Sequence, residues 1–141
     1  MFRTILVAVD LAELNIAKPA IEQAAALAEQ SGGALRLVNV QSLLPATFLD
    51  YVPADFDTQL KEDAQASLKQ VAEKVPLPHA RVSWTVRAGG VYPEILAEAE
   101  ACGADLIVIG SHRPAMSTYL LGSNAKTVAR HATCSVLIVR A

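Results

Sequence analysis

The residues best suited to chemistry lie in the last third of the chain. An apolar run, Asp105-Leu-Ile-Val-Ile-Gly110, leads into Ser111-His112-Arg113-Pro114, and Leu121-Gly122-Ser123-Asn124 follows a short loop later. The chemistry they suit is anion binding. The first turn of a helix leaves N–H groups without partners, and the helix dipole favours negative charge there. Gly122 lets a ligand come close to the backbone, while Ser123 and Asn124 add polar side chains. Ahead of them, His112 offers a donor and Arg113 a fixed positive charge. Together they describe a phosphate pocket.

Other nucleotide-binding and catalytic patterns do not fit the spacing. A Walker A loop needs G-x-x-x-x-G-K-[ST] directly after a strand, and no glycine precedes Lys126. Asp10-Leu-Ala-Glu-Leu, after the first apolar run, holds none of the glycines of a dinucleotide fingerprint. A phosphorelay receiver places an aspartate at the end of its third strand, where this chain has Arg87-Ala-Gly. His79, His112 and His131 have no metal-ligand spacing with each other or with Cys102 and Cys134. His131 suits the negative end of the last helix.

The elements that must position the pocket follow from periodicity. Residues 4–9, 105–109 and 136–139 are apolar runs of strand length, Leu35 to Val40 reads as the second strand, and Val82, Trp84 and Val86 alternate with polar residues. Between them run helical stripes. Ala17, Ala20, Ile21, Ala24, Leu27 and Ala28 end at Gly32-Gly33, while Leu60, Ala64, Leu68 and Val71 start near Asp57-Thr58 and stop before Pro76. Ile95, Leu96, Ala99 and Cys102 form a third stripe, and a fourth helix starts at Gly122. Strands alternating with helices predict a parallel sheet covered on both faces. Continuous apolar runs belong in the middle of such a sheet and the alternating run at its edge. With right-handed crossovers this gives an open five-stranded α/β sheet of order 3-2-1-4-5. Its topological switch point, between strands 1 and 4, is where such sheets bind ligands. Val9-Asp10 and Ile109-Gly110 end those strands, so the switch point falls on the phosphate pocket.

Composition sets outer bounds. A chain of 141 residues suits one domain, and at that size folding buries roughly 68–70% of the unfolded surface. Net charge is −2 with both signs interspersed, so no basic stripe points to nucleic acid. The apolar runs are far shorter than the ~20 residues of a membrane helix. Met1-Phe-Arg-Thr-Ile-Leu-Val reads as a first strand, without the h-region or cleavage site of a signal peptide. Two widely separated cysteines in apolar settings read as buried structural thiols in a cytoplasmic protein. The fifth strand is apolar throughout yet stands at an edge without a protecting charge or proline, which predicts a twofold homodimer through it. The long segment from Gln41 to Phe56, with Pro45, Phe48, Tyr51 and Pro53, could fold over a bound base or be a surface excursion.

Four stretches resemble the universal stress protein family. They are Ile5-Leu-Val-Ala-Val-Asp10, Ala104-Asp-Leu-Ile-Val-Ile-Gly-Ser-His112, Leu120-Leu-Gly-Ser123 and Arg130-His-Ala-Thr-Cys-Ser-Val-Leu-Ile-Val139. The resemblance covers the whole chain and implies the adenine nucleotide alpha hydrolase-like sheet, dimerisation through the last strand and, in one group of members, ATP binding. That group carries Gly, two residues, Gly, nine residues, then Gly-Ser or Gly-Thr. Here Gly110 and Gly122-Ser123 match the ends, Arg113 replaces the middle glycine, and eight residues separate it from Gly122. Asp10-Leu-Ala12 also replaces the usual Asp-x-Ser. Ser111-His-Arg-Pro114 with Tyr119-Leu-Leu-Gly-Ser-Asn124 resembles a bacterial subgroup that binds ATP.

Carried over position by position, the resemblance implies a site for ATP, with or without Mg2+. Ala8, Val9 and Asp10 would line base and ribose, Asp10 accepting from a ribose hydroxyl or assisting a metal. Val40 would bond adenine through its backbone, with Ile109 and Gly110 as the floor of the nucleoside. His112, Arg113, Gly122, Ser123 and Asn124 would hold the phosphates. Read without the family, Asp10 suits a helix cap equally, Ser123 and Asn124 could cap their own helix, and Arg113 could be a surface charge. A nucleotide-dependent stress or signalling module is favoured over a slow ATPase or an autophosphorylating enzyme. A hydrolase needs a base for water, a metal-binding pair and a cationic clamp, and the motifs offer one cation and one distant carboxylate. A flavin or other mononucleotide carrier fits the sheet but not the family.

Overall fold

A computed structural model describes residues 2–42, 51, 53–111 and 122–140. Strand and helix alternate along the chain. β1 (Thr4–Ala8) leads to α1 (Leu14–Ser31), and β2 (Ala34–Gln41) to α2 (Phe56–Glu73). β3 (Val82–Ala88) leads to α3 (Val91–Cys102), β4 (Leu106–Gly110) to α4 (Ser123–His131), and β5 (Ser135–Val139) comes last. The sheet has the expected order, β3-β2-β1-β4-β5, with every pairing parallel.

Successive strand side chains point to opposite faces, so each strand serves two cores. Ile5, Val7, Leu35, Leu37, Leu106 and Val108 meet the alanine stripe of α1 and Ala64, Leu68 and Ala72 of α2. Leu6, Val38, Ile107 and Ile109 meet Ile95 and Ala99 of α3 and Ala125 and Val128 of α4. The continuous apolar runs of β1 and β4 are therefore buried on both sides, as read from their composition. α1 begins at Leu14, ahead of Ala17, and holds Pro19 in its second turn. It stops at Gly32, whose left-handed φ of 71° turns its N–H onto the Ala28 carbonyl.

Both expected edges are edges. In β3 only Val86 is buried, and the strand continues two residues past it because Arg87 and Ala88 stay in register with Val40 and Gln41. β5 pairs with β4 alone among the described residues, and its residues 136–139 are half-buried. Cys102 and Cys134 are free thiols and only half-buried, which corrects the expectation of full burial. Burial, reinforced at Cys102 by Glu98, pushes both thiols up. Pro45 and Phe48 lie outside the described residues, whereas Tyr51 is described and exposed.

One ionic cluster sits where β2, β3 and α3 meet. Glu98, 5% exposed, accepts from Arg36 Nε at 2.7 Å and from Arg87 Nη1 at 2.8 Å. Arg87 Nε also donates to Glu94 at 2.8 Å, and Arg36 Nη1 to Ser83 Oγ at 3.0 Å. Burial alone would raise the Glu98 carboxyl, but the two arginines outweigh it and hold the group below the ordinary glutamate range.

Candidate functional site

β1 feeds α1 on one face of the sheet and β4 feeds α4 on the other, so their carboxyl ends leave a crevice between them. A cleft of about 670 Å³ opens there. Ala8, Val9, Asp10 and Val40 line it from the first two strands, and Ile109 and Gly110 line it from β4. Gly122, Ser123 and Asn124 line it from the start of α4. Nine of the eleven expected residues thus share one cavity, brought from four separate stretches of chain. His112 and Arg113 lie outside the described residues.

The α4 end is arranged for an anion. Gly122 takes the N-cap position, with no side-chain cap bond, so Ser123 and Asn124 occupy the first turn and do not cap it. The N–H groups of that turn have no intrahelical acceptors. No acidic residue stands in the first turn, while Arg130 and His131 complement the dipole in the last. Gly122 N–H donates to the Ser111 carbonyl at 2.7 Å, and Ser111 N–H donates to the Val139 carbonyl at 3.0 Å. These bonds fix the start of α4 against the ends of β4 and β5. Main-chain donors with no partner among the described residues, set beside an apolar wall, fit a phosphorylated ligand with a flat base.

Gly110 has a second reason to be glycine. A Cβ there would stand 3.0 Å from Ile16 Cγ2 and 3.3 Å from the Ile16 carbonyl oxygen, so the residue also lets α1 close on β4. Asp10 holds the chain as it leaves β1, one carboxylate oxygen accepting from Ala12 N–H at 2.9 Å. Among the described residues its other oxygen has no such bond. No group of three or more His, Cys, Asp or Glu side chains gathers among the described residues in a way that could hold a metal ion.

Sequence reasoning missed part of the lining. Glu13 and Ile16 of the α1 entry, Val91 and Ile95 of α3, and Asn39, Ser42 and Ser111 all reach the cleft. Asn39 could have been noticed as the one amide inside Leu35-Arg-Leu-Val-Asn-Val40. It is 6% exposed, and its Nδ2 donates to the Val9 carbonyl at 2.9 Å. α3 contributes because it starts at the same end of the sheet, which no local motif reveals.

Among the described residues no helix is long and apolar enough to cross a membrane. A model of the Universal stress protein family matches residues 1–140. Universal stress protein G of Escherichia coli O157:H7 is 37% identical over 143 residues, covering 99% of this chain and all of that protein. The solved universal stress protein UspA from Lactobacillus plantarum superposes with a TM-score of 0.80 at 24% identity, covering 98% of this chain and 97% of that one. A universal stress protein solved in complex with cAMP superposes at 0.66 and 20% identity, covering 98% and 97%.

Proposed function

The chain belongs to the universal stress protein family, and we propose that it binds ATP in the cleft between β1 and β4 as a dimeric, nucleotide-dependent stress-response module. One observation carries this reading: four separated stretches deliver nine residues to one crevice whose α4 end offers uncapped main-chain donors. Val40, Ala8 and Ile109 form the apolar surround of the adenine. Asp10 accepts from a ribose hydroxyl through the carboxylate oxygen that Ala12 leaves available. The amides of α4 take the phosphates, joined by His112 and Arg113. The cAMP complex of a structural neighbour adds support for an adenine nucleotide in this architecture.

Denaturing the purified protein and identifying any released nucleotide by mass spectrometry tests the reading, backed by calorimetry with ATP on emptied protein. ATP is expected in the released fraction, or saturable binding on refilling. No heat of binding at millimolar ATP would remove the proposal.

The dimer forms through β5. No described residue pairs with its outer edge, which is flanked by the half-buried residues 136–139. A twofold axis would extend two five-stranded sheets into one. Light scattering at micromolar concentration should return twice the chain mass, and a monomer there contradicts this interface.

A further inference from the structure

The backbone bonds of β2 reveal a position held open. In the parallel register of β1 and β2, Ala8 lies opposite Val38, and Val9 N–H donates to the Val38 carbonyl at 2.8 Å. Backbone groups of alternate residues point to the same side of a strand. Those of Val38 point towards β1, and so do those of Val40. Those of Gln41 point the other way, its carbonyl accepting from Gly89 N–H at 2.8 Å. Continuing the ladder would bring Val40 N–H onto the Val9 carbonyl. That carbonyl instead accepts from Asn39 Nδ2, at 2.9 Å. Among the described residues, neither the N–H nor the carbonyl of Val40 has a partner on the β1 side. Both sit in a residue that lines the cleft.

We propose that Asn39 is a positioning residue for base recognition, its side chain taking the Val9 carbonyl so that the Val40 N–H and carbonyl stay open as a donor–acceptor pair. This rests on the nucleotide reading of the cleft. A buried amide is costly without partners, so Asn39 is held to this bond as long as its surroundings stay dry. The open pair matches a base edge that shows one acceptor and one amino donor side by side, as adenine does. Guanine places the O6 acceptor where adenine has its amino group, and two acceptors would then face each other. Asn39 therefore acts on base choice without touching the base.

The test pairs hydrogen exchange with a selectivity measurement. In nucleotide-free wild-type protein, the Val40 amide should exchange quickly for an interior strand position and slow on addition of ATP. In Asn39→Leu, Val9 is released to Val40, so the amide should already be protected without nucleotide. The preference for ATP over GTP should then fall by about tenfold or more, with the circular dichroism spectrum unchanged. Protection of Val40 in free wild-type protein overturns the proposal, even if the variant fails to fold. An unchanged ATP-to-GTP ratio in a folded Asn39→Leu protein also overturns it. If wild-type protein binds neither nucleotide, the ATP reading fails and base selection with it. Slow exchange at Val40 in free Asn39→Leu against fast exchange in wild type would then still support the strand-spacing role.

Discussion

Replacing Glu98 by leucine is expected to lower stability by about 2–4 kcal/mol, because two arginines lose the carboxylate that joins them. Arg87 keeps Glu94 and Arg36 keeps Ser83, and both arginine side chains are about 30% accessible, so water offsets part of the loss. For a domain of this size the melting temperature should fall by roughly 6–12 °C. The same cluster sets an acid limb. The Glu98 carboxyl is held low when folded, so its contribution is fully present above the unfolded glutamate value of about 4.3. It is lost as pH falls through the lower folded value. Urea titrations from pH 7 to pH 3 should show wild-type stability falling in that range, with a shallower fall in Glu98→Gln. Equal slopes for the two proteins would mean that Glu98 is not responsible for the acid limb.

Gly122→Val should weaken ATP binding about a hundredfold or more while leaving the fold intact. The backbone at Gly122 has φ −60° and ψ 152°, which any L-residue adopts, so valine brings no conformational strain. Its N–H bond to the Ser111 carbonyl is a main-chain bond and survives the change. What changes is the space at the mouth of α4, where branched carbons would hold a phosphate away from the amides. Loss of one or two charge-assisted bonds, each worth about 1.5–3 kcal/mol, sets the scale. Calorimetry with ATP, alongside a melting curve, separates the two effects. A variant that melts like wild type and binds ATP equally well would place the phosphates elsewhere.

The two halves of the cleft were legible to different degrees. Ile109-Gly110 and Gly122-Ser123-Asn124 announce themselves because each stands at a local boundary between a strand or helix and a loop. Val9-Asp10 follows from topology, since the strand order fixes which ends meet. Asn39 was hidden, because its role depends on how far β1 stays in register with β2. Cys102 and Cys134 were read as more deeply buried than they are, since apolar neighbours in sequence do not guarantee cover in space.

From its residue pattern alone, this protein was committed to five parallel strands in the order β3-β2-β1-β4-β5 and to a crevice at the ends of β1 and β4. Those features follow from apolar periodicity and the handedness of crossovers, which are local or nearly so. Tertiary structure alone decided that Arg36, Arg87 and Glu98 share one cluster and that Asn39 reaches the Val9 carbonyl. A polar residue in a strand can face water, a partner or a neighbouring main chain, and which one it meets depends on elements far away in sequence. The choice falls to distance and burial, because a polar group shut away from water must find its partner wherever the fold has placed one.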